Sequence, residues 1–189
     1  MQWNGPRLFR TILYPALALV VPTPCTGCRE MLGPRQVLGY CPACWADVQP
    51  DRYDPGNPSE CAATVYAGLS REILLEAKFR DRPELFRPMG LRMAALCRII
   101  GLDRGLDLVA AVPAHPLTRI RRGYNPAREL ARHVARELHL PLAGTGLRRK
   151  LLHLSPLKAA GRKRRQVKAV AAFTAPAGRF RGRRILLVD

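Results

Sequence analysis

Aromatic side chains are scarce in this sequence, at 6% of residues, so its apolar volume comes mainly from Leu, Ala, Val and Ile. Acidic residues are scarce as well: 14 Asp and Glu face 32 Lys and Arg, leaving a net charge of +18. Long apolar runs are missing. The run at residues 12–21 is interrupted by Pro15 and is far short of the roughly 20 residues that cross a bilayer as a helix. The composition is neither collagenous nor that of a coiled coil, and a hydrophobic content of 48% argues for a buried core and against wholesale disorder. At 189 residues the chain suits one ordinary domain with a small accessory one.

The charge is unevenly placed. Residues 1–100 hold 12 basic against 9 acidic side chains, and residues 101–189 hold 20 against 5. Such a field attracts polyanions: nucleic acid, phosphorylated metabolites or an anionic surface. Arg greatly outnumbers Lys, so codon composition is a competing origin for part of this charge. Arg7 and Arg10 ahead of residues 12–21 imitate a secretory signal, yet Pro22-Thr23-Pro24 is a poor substitute for a small-residue cleavage site. Leu8, Ile12, Leu13 and Leu17 recur at helical spacing, so residues 1–24 are expected to hold a short amphipathic helix ending near Pro22. The protein reads as cytoplasmic, with no membrane span.

Four of the six cysteines form two pairs, Cys25-x2-Cys28 and Cys41-x2-Cys44. A two-residue gap lets two thiolates of one turn face a common centre, and two such turns supply four tetrahedral ligands, for which zinc is the preferred ion. Two disulfides are the competing reading, which a cytosolic chain disfavours. A redox pair does not require two such motifs. The site would be closed to water, and zinc would contribute on the order of 10 kcal/mol to folding a segment too small to fold alone. Cys61 is expected to be a buried thiol and Cys97 to face a helical core.

Residues 46–60 are polar and Pro-rich and look like a boundary. Residues 62–68 are expected to form a strand. A helix follows from near Ser70 with Ile73, Leu74 and Ala77 on one face, closing at residues 78–81. A second helix is expected over 85–100 with Leu85, Met89, Met93, Leu96 and Ile100 inward. Residues 106–112 read as a buried parallel strand, ended by Pro113. The loop over 114–124 carries His115, Arg119, Arg121 and Arg122. Asn125 and Pro126 then open a helix in the N-cap and N1 roles, with a stripe of Ala127, Leu130, Ala131, Val134, Ala135 and Leu138. Strand, basic loop and helix start make the geometry of a phosphate site. Residues 148–168 are strongly basic, and residues 185–189 read as a buried strand ending in an acid. A central parallel strand needs further elements to cover it, so the domain reads as broken off at Asp189.

Together these features resemble the ComF family of bacterial proteins, in which a zinc ribbon is joined to a type I phosphoribosyltransferase-like domain. The resemblance rests on Cys25/Cys28/Cys41/Cys44-Trp45 and on Ala77-Lys78-Phe79-Arg80. It continues through Val112-Pro113-Ala114-His115-Pro116, Arg121-Arg122-Gly123-Tyr124-Asn125-Pro126-Ala127 and Arg183-Arg184-Ile185-Leu186-Leu187-Val188-Asp189. Leu157 and Gln166 depart from the family pattern. The resemblance implies an α/β fold: a parallel-sheet type I phosphoribosyltransferase-like domain over 61–189, incomplete, after a four-cysteine zinc ribbon and linker over 25–60. It further implies a glycosyltransferase chemistry on phosphoribosyl pyrophosphate (PRPP) with magnesium. The ligand would be bound by His115, Arg121, Arg122, Gly123, Tyr124, Asn125 and Asp189, the last as the first of two acids near the ribose hydroxyls. The metal ligands would be Cys25, Cys28, Cys41 and Cys44. Relatives are associated with DNA uptake during competence, so single-stranded DNA and a protein of the competence machinery are implied partners.

Two classes of function stand against each other. One is an enzyme that clamps the leaving pyrophosphate and faces an acid towards the ribose. With the expected Gly-rich phosphate cradle lying beyond Asp189, the 189 residues are expected to lack transferase turnover. The other is a basic zinc-ribbon accessory protein that binds single-stranded DNA or a protein without catalysis. His115 is open between ligand contact and loop packing, and Arg121 and Arg122 between an anion clamp and a solvated surface.

Overall fold

The computed structural model describes residues 24–33, 39–48, 59–80, 82–144, 146–150, 172–176 and 178–189. The expected N-terminal helix, most of the Pro-rich boundary and the basic stretch over 151–168 lie outside these residues. The chain divides into two compact units, Met1–Leu85 and Phe86–Asp189.

In the first unit a one-turn helix, α1 (Pro42–Ala46), follows the second cysteine pair, with Cys41 as its N-cap and Pro42 in the first turn. Pro is pre-set for that position because its missing N–H would be unpaired there anyway. The next helix, α2 (Gly68–Phe79), starts two residues before Ser70: Ala67 is the N-cap, and Ser70 is buried inside the first turn. The expected strand over 62–68 is not formed. Those residues run as bends into the helix, and alternation is too weak there to specify a strand. Ile73 and Ala77 are buried as expected. A 3-10 turn over Pro83–Leu85 closes the unit. Cys61 is exposed, contrary to the expected buried thiol.

In the second unit α3 (Phe86–Ile99) buries Phe86, Pro88, Met89, Gly90, Ala94 and Cys97. Met93, Leu96 and Ile100 are half-buried, and Ile99 is 81% exposed. The strand β1 (Leu108–Ala111) follows, then α4 (Pro116–Arg122) and α5 (Pro126–Glu137). The loop expected over 114–124 is therefore mostly helical. On α5 the expected stripe of Ala127, Leu130, Ala131, Val134 and Ala135 is buried, with Leu138 half-buried just past its end. Two short strands, β2 (Arg148–Arg149) and β3 (Phe173–Thr174), pair antiparallel. The last strand is β4 (Ile185–Val188).

β1 and β4 pair in parallel, with Leu108 opposite Ile185 and Ala111 opposite Val188. On its other edge β1 is lined by residues 141–143: Val109 donates to the Pro141 carbonyl at 3.0 Å and accepts from the Ala143 N–H at 2.7 Å. The order across the sheet is thus the 141–143 segment, β1, β4. β4 is less buried than its apolar sequence suggests, with Val188 covered and Leu187 56% exposed. Helix α5 packs on β1 and β4, and α3 packs on α5. The two helices approach closely at Gly90, where a Cβ would lie 2.5 Å from the His133 Cβ and 3.2 Å from the Leu130 carbonyl oxygen.

His133 pays for that position with its basicity. Burial first, then the charges of Arg132, Arg87 and Arg136, lower its pKa from 6.5 to about 4. Its Nε2 lies 3.3 Å from the Arg132 guanidinium, a donor only a neutral ring can accept from. Because the unfolded chain then binds a proton that the folded one refuses, stability rises as pH increases from about 4 to 6.5 and is level above. Urea unfolding between pH 4.5 and 7 is expected to show this slope, of about 1–2 kcal/mol after solvent screening of a half-exposed ring. His133→Gln is expected to flatten it.

Candidate functional site

The first cysteine pair sits on a turn closed by the Cys25 N–H to the Glu30 carbonyl at 2.8 Å and the Arg29 N–H to the Cys25 carbonyl at 3.0 Å. An antiparallel bridge between Pro24 and Met31 holds its ends. The Thr26 N–H donates to the Gly39 carbonyl at 2.9 Å, joining this turn to the approach of the second pair. The Cys41 N–H donates to the Cys25 Sγ at 3.3 Å, and the Cys44 N–H to the Cys41 Sγ at 3.4 Å.

All four Sγ atoms lie within 4.8 Å of one another. The Cys28 and Cys41 sulfurs are 3.8 Å apart, which is the edge of a tetrahedron whose centre lies about 2.3 Å from each sulfur, the zinc–thiolate length. The donor set fits a metal ion such as zinc. Without metal, burial raises the pKa of Cys25, but backbone hydrogen bonds from Cys41, Cys28 and Gly27 outweigh it and draw the thiol down to about 6. Cys44 is pushed up to about 12, first by its hydrogen bond with the Cys41 side chain and then by burial. A cation in this cluster displaces the Cys44 proton, so metal binding weakens in acid.

The cluster is tied into its unit by charge and by close contact. A Cβ on Gly27 would lie 2.7 Å from the Cys44 Sγ and 3.1 Å from Leu69 of α2. Arg82 donates to Thr26 Oγ1 at 3.3 Å, Glu76 Oε2 at 3.4 Å and Glu84 Oε1 at 2.9 Å. Glu76 also pairs with Arg29 at 3.4 Å. Tyr40 stacks on Trp45 at 5.2 Å and donates from its buried hydroxyl to the Leu85 carbonyl. None of these partners was legible in the sequence. Arg82 and Thr26 are 56 positions apart, too far for any local pattern to mark the pairing.

The second group of expected site residues gathers where β1 and β4 end. The Val112 N–H donates to the Val188 carbonyl at 2.8 Å, so exposed Asp189 follows at the same end as the segment leaving β1. His115 is the N-cap residue of α4 without a side-chain cap bond, and its Nε2 is buried with no hydrogen-bond partner. Arg121 is exposed and Arg122 half-buried on α4. Gly123 ends α4 in the left-handed conformation at φ 77°, which a side chain would disfavour. Tyr124 points inward, edge-on to Phe86 at 6.1 Å. Asn125 is the N-cap of α5, as its position predicted, but its Nδ2 donates to the Val112 carbonyl at 2.9 Å instead of capping the helix. That bond ties the start of α5 to the end of β1.

No family model matches this sequence, and no curated protein or solved structure is significantly similar to it. Among the described residues no helix is long and apolar enough to cross a membrane.

Removing the Arg82 guanidinium strands Glu84 and the buried Thr26 hydroxyl. Arg82→Ala is expected to destabilise the chain by about 2 kcal/mol in denaturant unfolding. Arg80→Ala, whose pairing with Glu76 is exposed and 4.0 Å long, is expected to change stability by less than about 0.5 kcal/mol.

Proposed function

We propose that the chain is a ComF-type protein in which Cys25, Cys28, Cys41 and Cys44 hold a structural zinc ion and the carboxyl ends of β1 and β4 bind PRPP or a related phosphorylated ribose. The observation that carries the ligand reading is the sheet order. The chain leaves β1 to the 141–143 segment on one side and reaches β4 on the other. Ligands of open parallel sheets bind at such a switch point, beyond the carboxyl ends of the strands.

The chemistry at that end suits a ribose carrying phosphates. Arg121 and Arg122 offer charge-assisted contacts to pyrophosphate oxygens. The orphan His115 Nε2 is a polar group in need of a partner. Asp189 offers a carboxylate to ribose hydroxyls. Magnesium is held by one or two carboxylates together with substrate phosphates, and Asp189 fits that role; when bound it would neutralise charge on the pyrophosphate. Gly123 and Asn125 act by shape, fixing the α4–α5 turn on the end of β1, while Tyr124 anchors that turn against Phe86. The four-cysteine cluster, with all ligand positions filled by protein, supports folding of its unit and no reaction.

Elemental analysis of the purified chain is expected to find one zinc per molecule, lost in Cys41→Ser. A chain without zinc, or one that keeps it in that variant, refutes the metal reading. In calorimetric titration with PRPP and magnesium, Asp189→Asn and Arg121→Ala are each expected to weaken binding about tenfold. Absence of binding by the unsubstituted chain, or affinities unchanged in both variants, refutes the ligand reading.

A further inference from the structure

We infer that the turns leading into β1 and β4, at the end of the sheet opposite Asp189 and His115, form a docking surface for the phosphate backbone of duplex DNA.

The residues before β4 run through two successive turns. The Arg179 N–H donates to the Pro176 carbonyl at 3.4 Å and the Arg183 N–H to the Phe180 carbonyl at 3.2 Å. The residues before β1 are held similarly, by Leu102 to Cys97 at 2.8 Å and Arg104 to Gly101 at 3.4 Å. The two segments are bonded to each other: the Asp107 N–H donates to the Arg184 carbonyl at 2.9 Å, and the Arg184 N–H to Asp107 Oδ2 at 2.7 Å. Arg104, Arg179, Arg181, Arg183 and Arg184 are all exposed on these turns. Asp103 and Asp107 are the acids there, and the Asp107 carboxylate is already engaged by the Arg184 backbone. The Arg184 guanidinium lies against Gly105, the residue after Arg104, 2.5 Å from where a Cβ would stand. The result is a cationic surface on hydrogen-bonded turns.

The aromatic residues decide which polyanion it suits. Residues 101–189 contain three, Tyr124, Phe173 and Phe180, and each is taken up by packing. Tyr124 meets Phe86, Phe173 lies under the Arg149 guanidinium at 5.8 Å, and the Phe180 ring sits against Gly146. None is exposed to stack on bases, which is how proteins hold single strands. Without stacking, affinity comes from phosphate charge alone. A duplex presents about one charge per 1.7 Å and releases more counterion per contact than a single strand. The surface therefore favours the duplex, without sequence preference.

The experiment is fluorescence anisotropy of a labelled 20-base-pair duplex and of one of its strands, titrated with the full chain at several salt concentrations. The expected result is a duplex preference, with the Arg181→Glu/Arg183→Glu variant weakening duplex binding more than about tenfold and lowering the salt slope by about two. Arg119→Glu/Arg128→Glu, an equal charge change on α4 and at the start of α5, is expected to weaken binding by about twofold or less. Arg181→Gln/Arg183→Gln, which removes charge without reversing it, is expected to shift in the same direction. Equal losses at both ends would mean that net charge alone binds DNA and would overturn the assignment. So would equal or tighter binding of the single strand, or no binding at low salt. These readouts are separate from PRPP titration, so either proposal can fail without the other.

Discussion

Two parallel strands cannot be joined by a tight turn, and much of the second unit follows from that constraint. Between Ala111 and Ile185 the chain must leave one end of the sheet and return to the other. It does so first through α4 and α5 to the 141–143 segment, and later by way of the β2–β3 pair and the Arg-bearing turns to β4. Because both strands run the same way, the residues leaving them gather at one end and the residues entering them at the other. A basic helix and an acid follow the strands at the first end, and a set of arginines on turns precedes them at the second. The chemistry is separated by topology before any side chain is chosen.

The first unit answers a different constraint. Among the described residues, the large buried aliphatic side chains of this unit, Ile73 and Leu85, lie in its helical part, whereas around the cysteine pairs the buried residues are Cys25, Thr26, Leu32, Tyr40 and Val48. Cohesion comes instead from directed contacts: backbone N–H groups on sulfur, a guanidinium shared among Thr26, Glu76 and Glu84, and a stacked Tyr40–Trp45 pair. Glu76 and Arg82 are only 12% and 19% exposed, so their pairing is of the kind in which losing one partner is costlier than the pair is favourable. Such contacts specify a geometry more than they supply stability. That geometry brings four sulfurs close enough together to hold one metal ion such as zinc.

The sequence was most legible where periodicity and fixed spacing carry the information. The paired Cys-x2-Cys spacing was enough to expect one cluster, and the sulfurs do gather. The stripe on α5 and the apolar run at β1 were legible because burial repeats at 3.6 residues in one and is nearly continuous in the other. Failures fell where local signals are weak or compete. Residues 62–68 are apolar enough for a strand, but their alternation is too weak to specify one and they run as bends, and Cys61 just before them is exposed. Pro116 hid α4: a proline after His115 reads as loop punctuation, yet it occupies the first helical turn, where it is tolerated.

Asn125 shows how position can be legible while role is not. Its type and place before Pro126 identified the start of α5 correctly, because an Asn at that point ordinarily caps the helix. Its amide is used otherwise, as a strut to the Val112 carbonyl. That carbonyl belongs to the residue whose N–H bonds Val188, so one peptide-length of chain links the start of α5, the end of β1 and the end of β4. A cap bond would have stabilised the helix alone. The strut fixes the helix start against the strand ends, where His115 and Asp189 emerge, and no cap bond accompanies it. A helix start and two strand ends thus depend on a single amide, whose placement serves the geometry between elements more than the local stability of the helix.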